Sequence, residues 1–254
     1  MEYRKLGRIG LDISVISFGG VVTINLQQEK VNKAVSGAIN RGVNLFDVGP
    51  TYGDAQNKMG PAIEKYRGQI ILTCETQPEK TREEARADLE NSFKLLKTDF
   101  FDVYQLHEVT DMDSLKLMEH YDFDTVMFPI NWNYWIHDNQ GEAVIKKARE
   151  TNKGILAIKA LAQRRWKDNE ERFGYDTWYK PLFDNDELAE LALKFTLSQD
   201  VDTAVCPGDE RLLYKCLDLV EAYQGSYDLS NAEKEKLEAL VDLYGGKLYP
   251  IVKS

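Results

Sequence analysis

Residue types that direct many functional assignments are scarce here. The 254 residues hold only three cysteines and three histidines. Cys74, Cys206 and Cys216 are odd in number and lack C-x-x-C spacing, which argues against a disulfide framework and suggests no metal site. No apolar run approaches the ~20 residues of a membrane span. The opening Met1-Glu-Tyr-Arg-Lys-Leu6 carries no signal-peptide core. Basic residues are outnumbered, giving a formal net charge of −10. Nucleic acids and anionic membranes call for a basic patch, so neither is an expected partner. Linkers, repeats and low-complexity stretches are missing too. The expectation is a cytoplasmic protein with one domain over 1–254, since α/β barrels run to ~250 residues as single units.

What is present is an alternation of short apolar runs and amphipathic stretches, the pattern of βαβ units and a parallel sheet. Strand-like runs begin near Val15, Asn44, Gln69, Phe101, Thr125, Gly154 and Val201. Helical periodicity covers Glu29–Asn40, where Val31, Ala34, Val35 and Ala38 share a face, and Arg82–Leu96, with Ala85, Leu89, Phe93 and Leu96. Further helices are expected over Met112–Tyr121, Glu142–Glu150, Asp186–Gln199, Glu210–Tyr223 and Asn231–Tyr244. Thr81-Arg-Glu-Glu84 and Ser230-Asn-Ala-Glu233 are capping-box patterns, and Gly42 and Gly154 stand where helices close. Seven strands are visible where eight close a conventional barrel. Between His107 and the strand at Thr125 one strand-helix unit is short.

Chemistry-bearing residues gather at strand ends, where (β/α) barrels build their sites. Asp47 ends a strand, Tyr52 follows in a Gly- and Pro-bounded loop, and His107 ends the run from Phe101. A phenol holds its proton near pH 7 and donates it well only when a cation stabilises the phenolate. Taken singly, the Asp is as readily a loop cap and the Tyr a packed turn residue; their joint placement favours a carbonyl-reducing site. His120 and His137 are expected to be structural.

Three longer motifs carry a family resemblance. Leu6-Gly-Arg-Ile-Gly-Leu-Asp-Ile-Ser-Val-Ile-Ser-Phe-Gly-Gly20, Gly42-Val-Asn-Leu-Phe-Asp-Val-Gly-Pro-Thr-Tyr-Gly53 and Asp102-Val-Tyr-Gln-Leu-His107 resemble the aldo-keto reductases. Phe128-Pro-Ile-Asn131, Ala157-Ile-Lys159, Trp178-Tyr-Lys-Pro181, Leu188–Ser198 and Cys206-Pro-Gly208 are similar to later segments of a bacterial-type branch. The resemblance implies a TIM (β/α)8-type barrel, possibly lacking one βα unit, which reduces aldehydes or ketones to alcohols with NADP or NAD, NADPH being slightly preferred. It implies Tyr52 as general acid, Asp47 as supporting carboxylate and His107 as the group orienting a small carbonyl substrate. Gly20, Val21, Asn131, Lys159, Pro207 and Gly208 are the implied cofactor neighbours, although a Lys at a strand end is as readily a solvated charge. Arg211 and Lys215 are the candidates for reading a 2′-phosphate.

Two departures from the family pattern follow. The family lysine is expected at position 74, and the chain reads Ile71-Leu-Thr-Cys74. A thiol cannot lower the pKa of Tyr52 as a cation does, so activity is expected to be impaired. Cys74 is alternatively a reactive thiol or, more commonly for an apolar setting, a buried structural one. The second departure is the missing unit after His107. The alternatives are an inactive relative that binds a nucleotide or a partner, or an engineered or incomplete form of a reductase.

Overall fold

In the computed structural model, described over residues 1–77, 81–106, 120–138, 140–175, 177–223 and 225–244, the apolar runs become strands. A hairpin comes first, β1 (Tyr3–Lys5) against β2 (Asp12–Ser14). Then follow β3 (Ile16–Gly19), β4 (Leu45–Val48), β5 (Ile71–Glu75), β6 (Val103–Gln105), β7 (Thr125–Pro129) and β8 (Gly154–Ile158). A second antiparallel ribbon, β9 (Ala162–Arg165) with β10 (Tyr179–Pro181), precedes β11 (Thr203–Val205). Seven strands make one sheet in the order β6-β5-β4-β3-β11-β8-β7, and its ladders are parallel. This is the expected TIM (β/α)8-type fold. Among the described residues β6 and β7 are the sheet's two edges. The short unit after His107 falls at that place, and residues 107–119 lie outside the described residues, as does most of the helix expected over Met112–Tyr121.

Strands buried on both faces read as continuous apolar runs, and both faces here are covered. Leu45, Val103, Leu156 and Val205 meet Leu6 and Ile13 of the hairpin on one side. Phe18, Phe46, Leu72, Ile155 and Ala157 lie on the other, in the core shared with the helices. Leu6 presses on β8 so closely that a Cβ on Gly154 would lie 2.4 Å from its Cδ1. Gly154 therefore serves packing, and the left-handed residue after the preceding helix is Asn152 (φ 50°). Gly42 does close its helix, with φ 87°.

Among the described residues the α-helices are α1 (Gln28–Asn40), α2 (Ala55–Ile63), α3 (Arg82–Leu96), α4 (Trp132–Asp138), α5 (Gln140–Glu150), α6 (Asp186–Ser198), α7 (Glu210–Ala222) and α8 (Asn231–Tyr244). Both capping boxes form: Thr81 with Glu84 starts α3, and Ser230 with Glu233 starts α8. α2 escaped the periodicity because Gly60-Pro61 interrupts it. The first and last strands of this sheet in sequence meet where β11 pairs with β3, Ala204 opposite Ile16 and Val205 opposite Ser17.

Candidate active site

The ladder register decides which side chains meet, because paired residues of neighbouring strands share a face. Asp47 of β4 is opposite Thr73 of β5, and Glu75 is opposite Gln105 of β6. Asp47 is 3% exposed. Its Oδ1 accepts hydrogen bonds from Thr73 Oγ1 at 2.5 Å and Gln105 Nε2 at 3.1 Å. After β4 the chain turns, with Tyr52 N–H donating to Gly49 O and Gly53 taking φ 54°. That turn brings the buried Tyr52 ring back over the strand ends.

The group meeting Tyr52 at the end of β5 is Glu75. Its carboxylate interacts with the Tyr52 phenol. Glu75 is itself buried, and a Cβ on Gly49 would come within 1.9 Å of its Oε1, so this turn has no room for a side chain at 49. Burial, then the negative charges of Asp47 and Glu75, push the Tyr52 phenol far above its ordinary range. Tyr52 is therefore firmly protonated.

Cys74, one residue earlier, points away from that group. Successive strand residues face opposite sides, and Cys74 Sγ accepts from Gln56 Nε2 of α2 at 3.6 Å. Gln56 in turn donates to Ser92 Oγ of α3 at 3.0 Å. All three are buried. Burial pushes the Cys74 thiol up to about 12, which fits a structural thiol rather than a reactive one. Sequence reasoning placed Cys74 in the site and missed Glu75. The period-2 alternation from Asp47's partner Thr73 would have found it, had the register been known.

His107 lies outside the described residues. The remaining implied residues are arranged around the strand ends as follows. Gly20 packs on the end of β4, a Cβ there lying 2.8 Å from Asp47 O. A Cβ on Gly208 would meet Val21 Cγ1 at 2.2 Å, so Val21 fills the space beside the Pro207-Gly208 turn. Asn131 donates through Nδ2 to Lys159 O and Ala162 O, and its Oδ1 caps α4 by accepting from Asn133 N and Tyr134 N. Its amide is spent on the backbone. Lys159 has φ 70°, and its Nζ stands 4.7 Å from the centroid of the Tyr179 ring. Asp209 caps α7 and binds the Arg211 guanidinium at 2.7 Å, while Lys215 pairs with Asp186. A helix N-terminus binds anions through its free N–H groups, and here the protein's own carboxylate takes that place. As they stand, these residues do not fit the phosphates of a dinucleotide.

Over the site lies the segment between β9 and β10. Arg164 and Lys180 grip Glu170 and hold its carboxyl well below the ordinary range, chiefly through hydrogen bonds from Arg164. Trp178 contacts the Tyr52 ring edge-on, with centroids 5.8 Å apart.

Residues 15–112 match the model of the aldo/keto reductase family. Aldo-keto reductase YhdN of Bacillus subtilis is 31% identical over 125 residues, 42% of this chain and 38% of that protein. The oxidoreductase YqkF of the same organism is 30% identical over 130 residues, 45% of this chain and 42% of that protein. A protein from Arabidopsis thaliana named as a probable voltage-gated potassium channel subunit beta is 29% identical over 122 residues, 42% of this chain and 37% of that protein. The matched stretch thus spans less than half the length of each of these relatives. The holo form of an aldo-keto reductase from Bacillus halodurans superposes with a TM-score of 0.70, at 18% identity and full coverage of both chains.

Proposed function

On the premise that the chain resembles the aldo/keto reductase family in sequence and shares its fold, we propose that it is an oxidoreductase of that type in which reduction of aldehydes and ketones to alcohols is impaired. The observation carrying this is the buried carboxylate of Glu75 beside the buried Tyr52 at the end of β5. Tyr52 is the proton donor of the proposed reaction. A general acid must release its proton as charge develops on the carbonyl oxygen. With the Glu75 and Asp47 carboxylates close by, the phenolate would form beside negative charge. The cause of impairment is thus assigned to Glu75 rather than Cys74, whose side chain faces α2 and α3. Asp47, held by Thr73 and Gln105, supports the site's geometry without supplying the missing cation. The resemblance implies NADPH or NADH as reductant, and the poor fit for its phosphates is a second reason for weak activity.

A second reading is a partner-binding relative without turnover. It is favoured by the similarity to the plant protein named as a channel subunit.

Two measurements separate these. The first is a titration of purified protein with NADPH and NADH, followed by addition of a reactive test aldehyde. The second repeats both in Glu75→Lys, which places a cation between Tyr52 and Asp47. The expected outcome is slow or undetectable oxidation in the native protein and a gain of ~10²-fold or more in the variant, the scale of one acid-base group. Native turnover at ordinary rates would overturn the impaired reading. Failure of either form to bind a nucleotide would leave the partner-binding one.

A further inference from the structure

Away from the strand ends, α4, α6 and α8 border a cavity of about 480 Å³. Its floor is apolar. Trp135 meets Phe195 edge-on with ring centroids 5.9 Å apart, and Leu229 and Leu237 lie beside them. Ile136 also lines it and is 39% exposed, an aliphatic side chain left partly in water. A second cavity of about 340 Å³ shares Ser198, Gln199 and Asp228 with the first and prolongs the cleft toward Glu2 and Asp200. Arg4 holds Glu2 and Arg149 holds Asp200. Among the described residues this leaves Asp228 and Glu238 against Lys234, an acidic excess at the rim. A cleft that is apolar below and acidic at the rim fits an extended peptide carrying apolar and basic side chains.

The chain itself carries such a peptide. The ten residues after α8 read Gly245-Gly-Lys-Leu-Tyr-Pro-Ile-Val-Lys-Ser254 and lie outside the described residues. Leu248, Tyr249, Ile251 and Val252 stand between Lys247 and Lys253, with no acid among the ten. Two glycines come directly after the helix, where glycine lets a chain reverse. Tyr249 precedes a proline, which biases it toward extended backbone. The reach is sufficient. α8 has 14 residues and is ~21 Å long, while the eight residues from Lys247 to Ser254 span up to ~26 Å when extended. Leu237 and Glu238 lie on α8 itself, so a segment running back along that helix passes over the cleft.

We propose that this cleft is the docking site of residues 245–254 of the same chain. Folded back along α8, the segment places apolar side chains over Ile136 and Leu237 and a lysine beside Glu238 or Asp228. Because the tether is short, docking is intramolecular, and weak contacts suffice to hold it. The proposal is independent of the reductase reading.

The test uses the full chain and pairs of introduced cysteines under mild oxidation, since disulfides form only where Cα atoms come within ~7 Å. The three native cysteines are buried. Ile136→Cys is combined in turn with Leu248→Cys, Ile251→Cys and Val252→Cys. Phe100→Cys, 50% exposed and outside the cleft, replaces Ile136→Cys in the controls. Both positions reach solvent, so the variants should melt close to the native protein. At least one pair with Ile136→Cys is expected to close within the chain about tenfold faster than its Phe100→Cys control, as a raised effective concentration requires. Adding Glu238→Lys should slow that pair about two- to fivefold, the scale of an exposed charge pair, and changing both tail lysines to glutamate should restore it. Equal rates in pair and control would show that the segment does not prefer the cleft. Disulfides formed only between chains would give the cleft to a second copy. A rate untouched by Glu238→Lys would remove the charge complementarity that selects this occupant. Each of these three results overturns the proposal.

Discussion

At Tyr52 two carboxylates compete to keep one proton in place. Removing the negative charge of Glu75 while keeping its shape should ease that hold, so Glu75→Gln should bring the Tyr52 titration down and Glu75→Lys should bring it down further. Ultraviolet difference titration against Tyr52→Phe as blank measures this without any turnover; an unmoved Tyr52 would show that Glu75 does not face it in solution. Buried thiols give a second prediction. Cys74 and Cys206 are each pushed up to about 12 by burial, from an ordinary value of 9. Between pH 9 and 12 the unfolded thiols lose protons that the folded ones keep. The native state then binds more protons than the unfolded state, and stability falls as pH rises. The slope contributed is at most about 1.4 kcal/mol per pH unit for each thiol. Urea unfolding at pH 8 and pH 10.5 should show this loss, and Cys74→Ala should flatten it by one thiol's share. Asp47 and Tyr52 were legible in the sequence because their five-residue spacing lies within one strand and its turn. Glu75 was not, because its relevance depends on the pairing of Asp47 with Thr73 across two strands.

Among the elements, those whose own sequence specifies them were legible. α1 shows its buried stripe Val31, Ala34, Val35 and Ala38, and α3 announces its start with the Thr81–Glu84 capping box. α2 is specified instead by its neighbour. Gly60 lets it cross α3 so closely that a Cβ there would lie 1.9 Å from Leu95 O. A mid-helix Gly-Pro reads as a break in isolation, and only this contact explains the glycine. Gly60→Ala should therefore cost about 1–3 kcal/mol, as overpacking does, despite the better helix propensity of alanine. Denaturant midpoints decide it: a variant as stable as the native protein would mean that α2 and α3 stand further apart. The β9–β10 ribbon was illegible for another reason. Its strands are short and polar, and they are held by the ion pairs of Glu170 with Arg164 and Lys180 rather than by an apolar pattern.

For the whole molecule, the parallel sheet could be foreseen from the alternating runs, but its continuity depends on one seam. The ladder β6-β5-β4-β3 joins β11-β8-β7 only through β3 and β11 among the described residues. There Ala204 N–H donates to Val15 O at 2.8 Å and Cys206 N–H donates to Ser17 O at 3.0 Å. Nearby, Arg149 holds Asp202, and Arg4 donates to Val201 O, tying the opening hairpin to the same place. The proposal of one domain over 1–254 requires that the two halves unfold together across this seam. The chain permits a direct check, because its four tryptophans all lie at or beyond position 132. Their fluorescence reports the second half, whereas far-ultraviolet circular dichroism reports the helices of both. In urea the two signals should follow one coincident transition, the mark of a single cooperative unit. Ala204→Pro removes a donor from a central strand, which proline does not tolerate, and should lower both midpoints together. If fluorescence fell while half of the helical signal persisted, the seam would be joining two independent units and the one-domain proposal would be wrong.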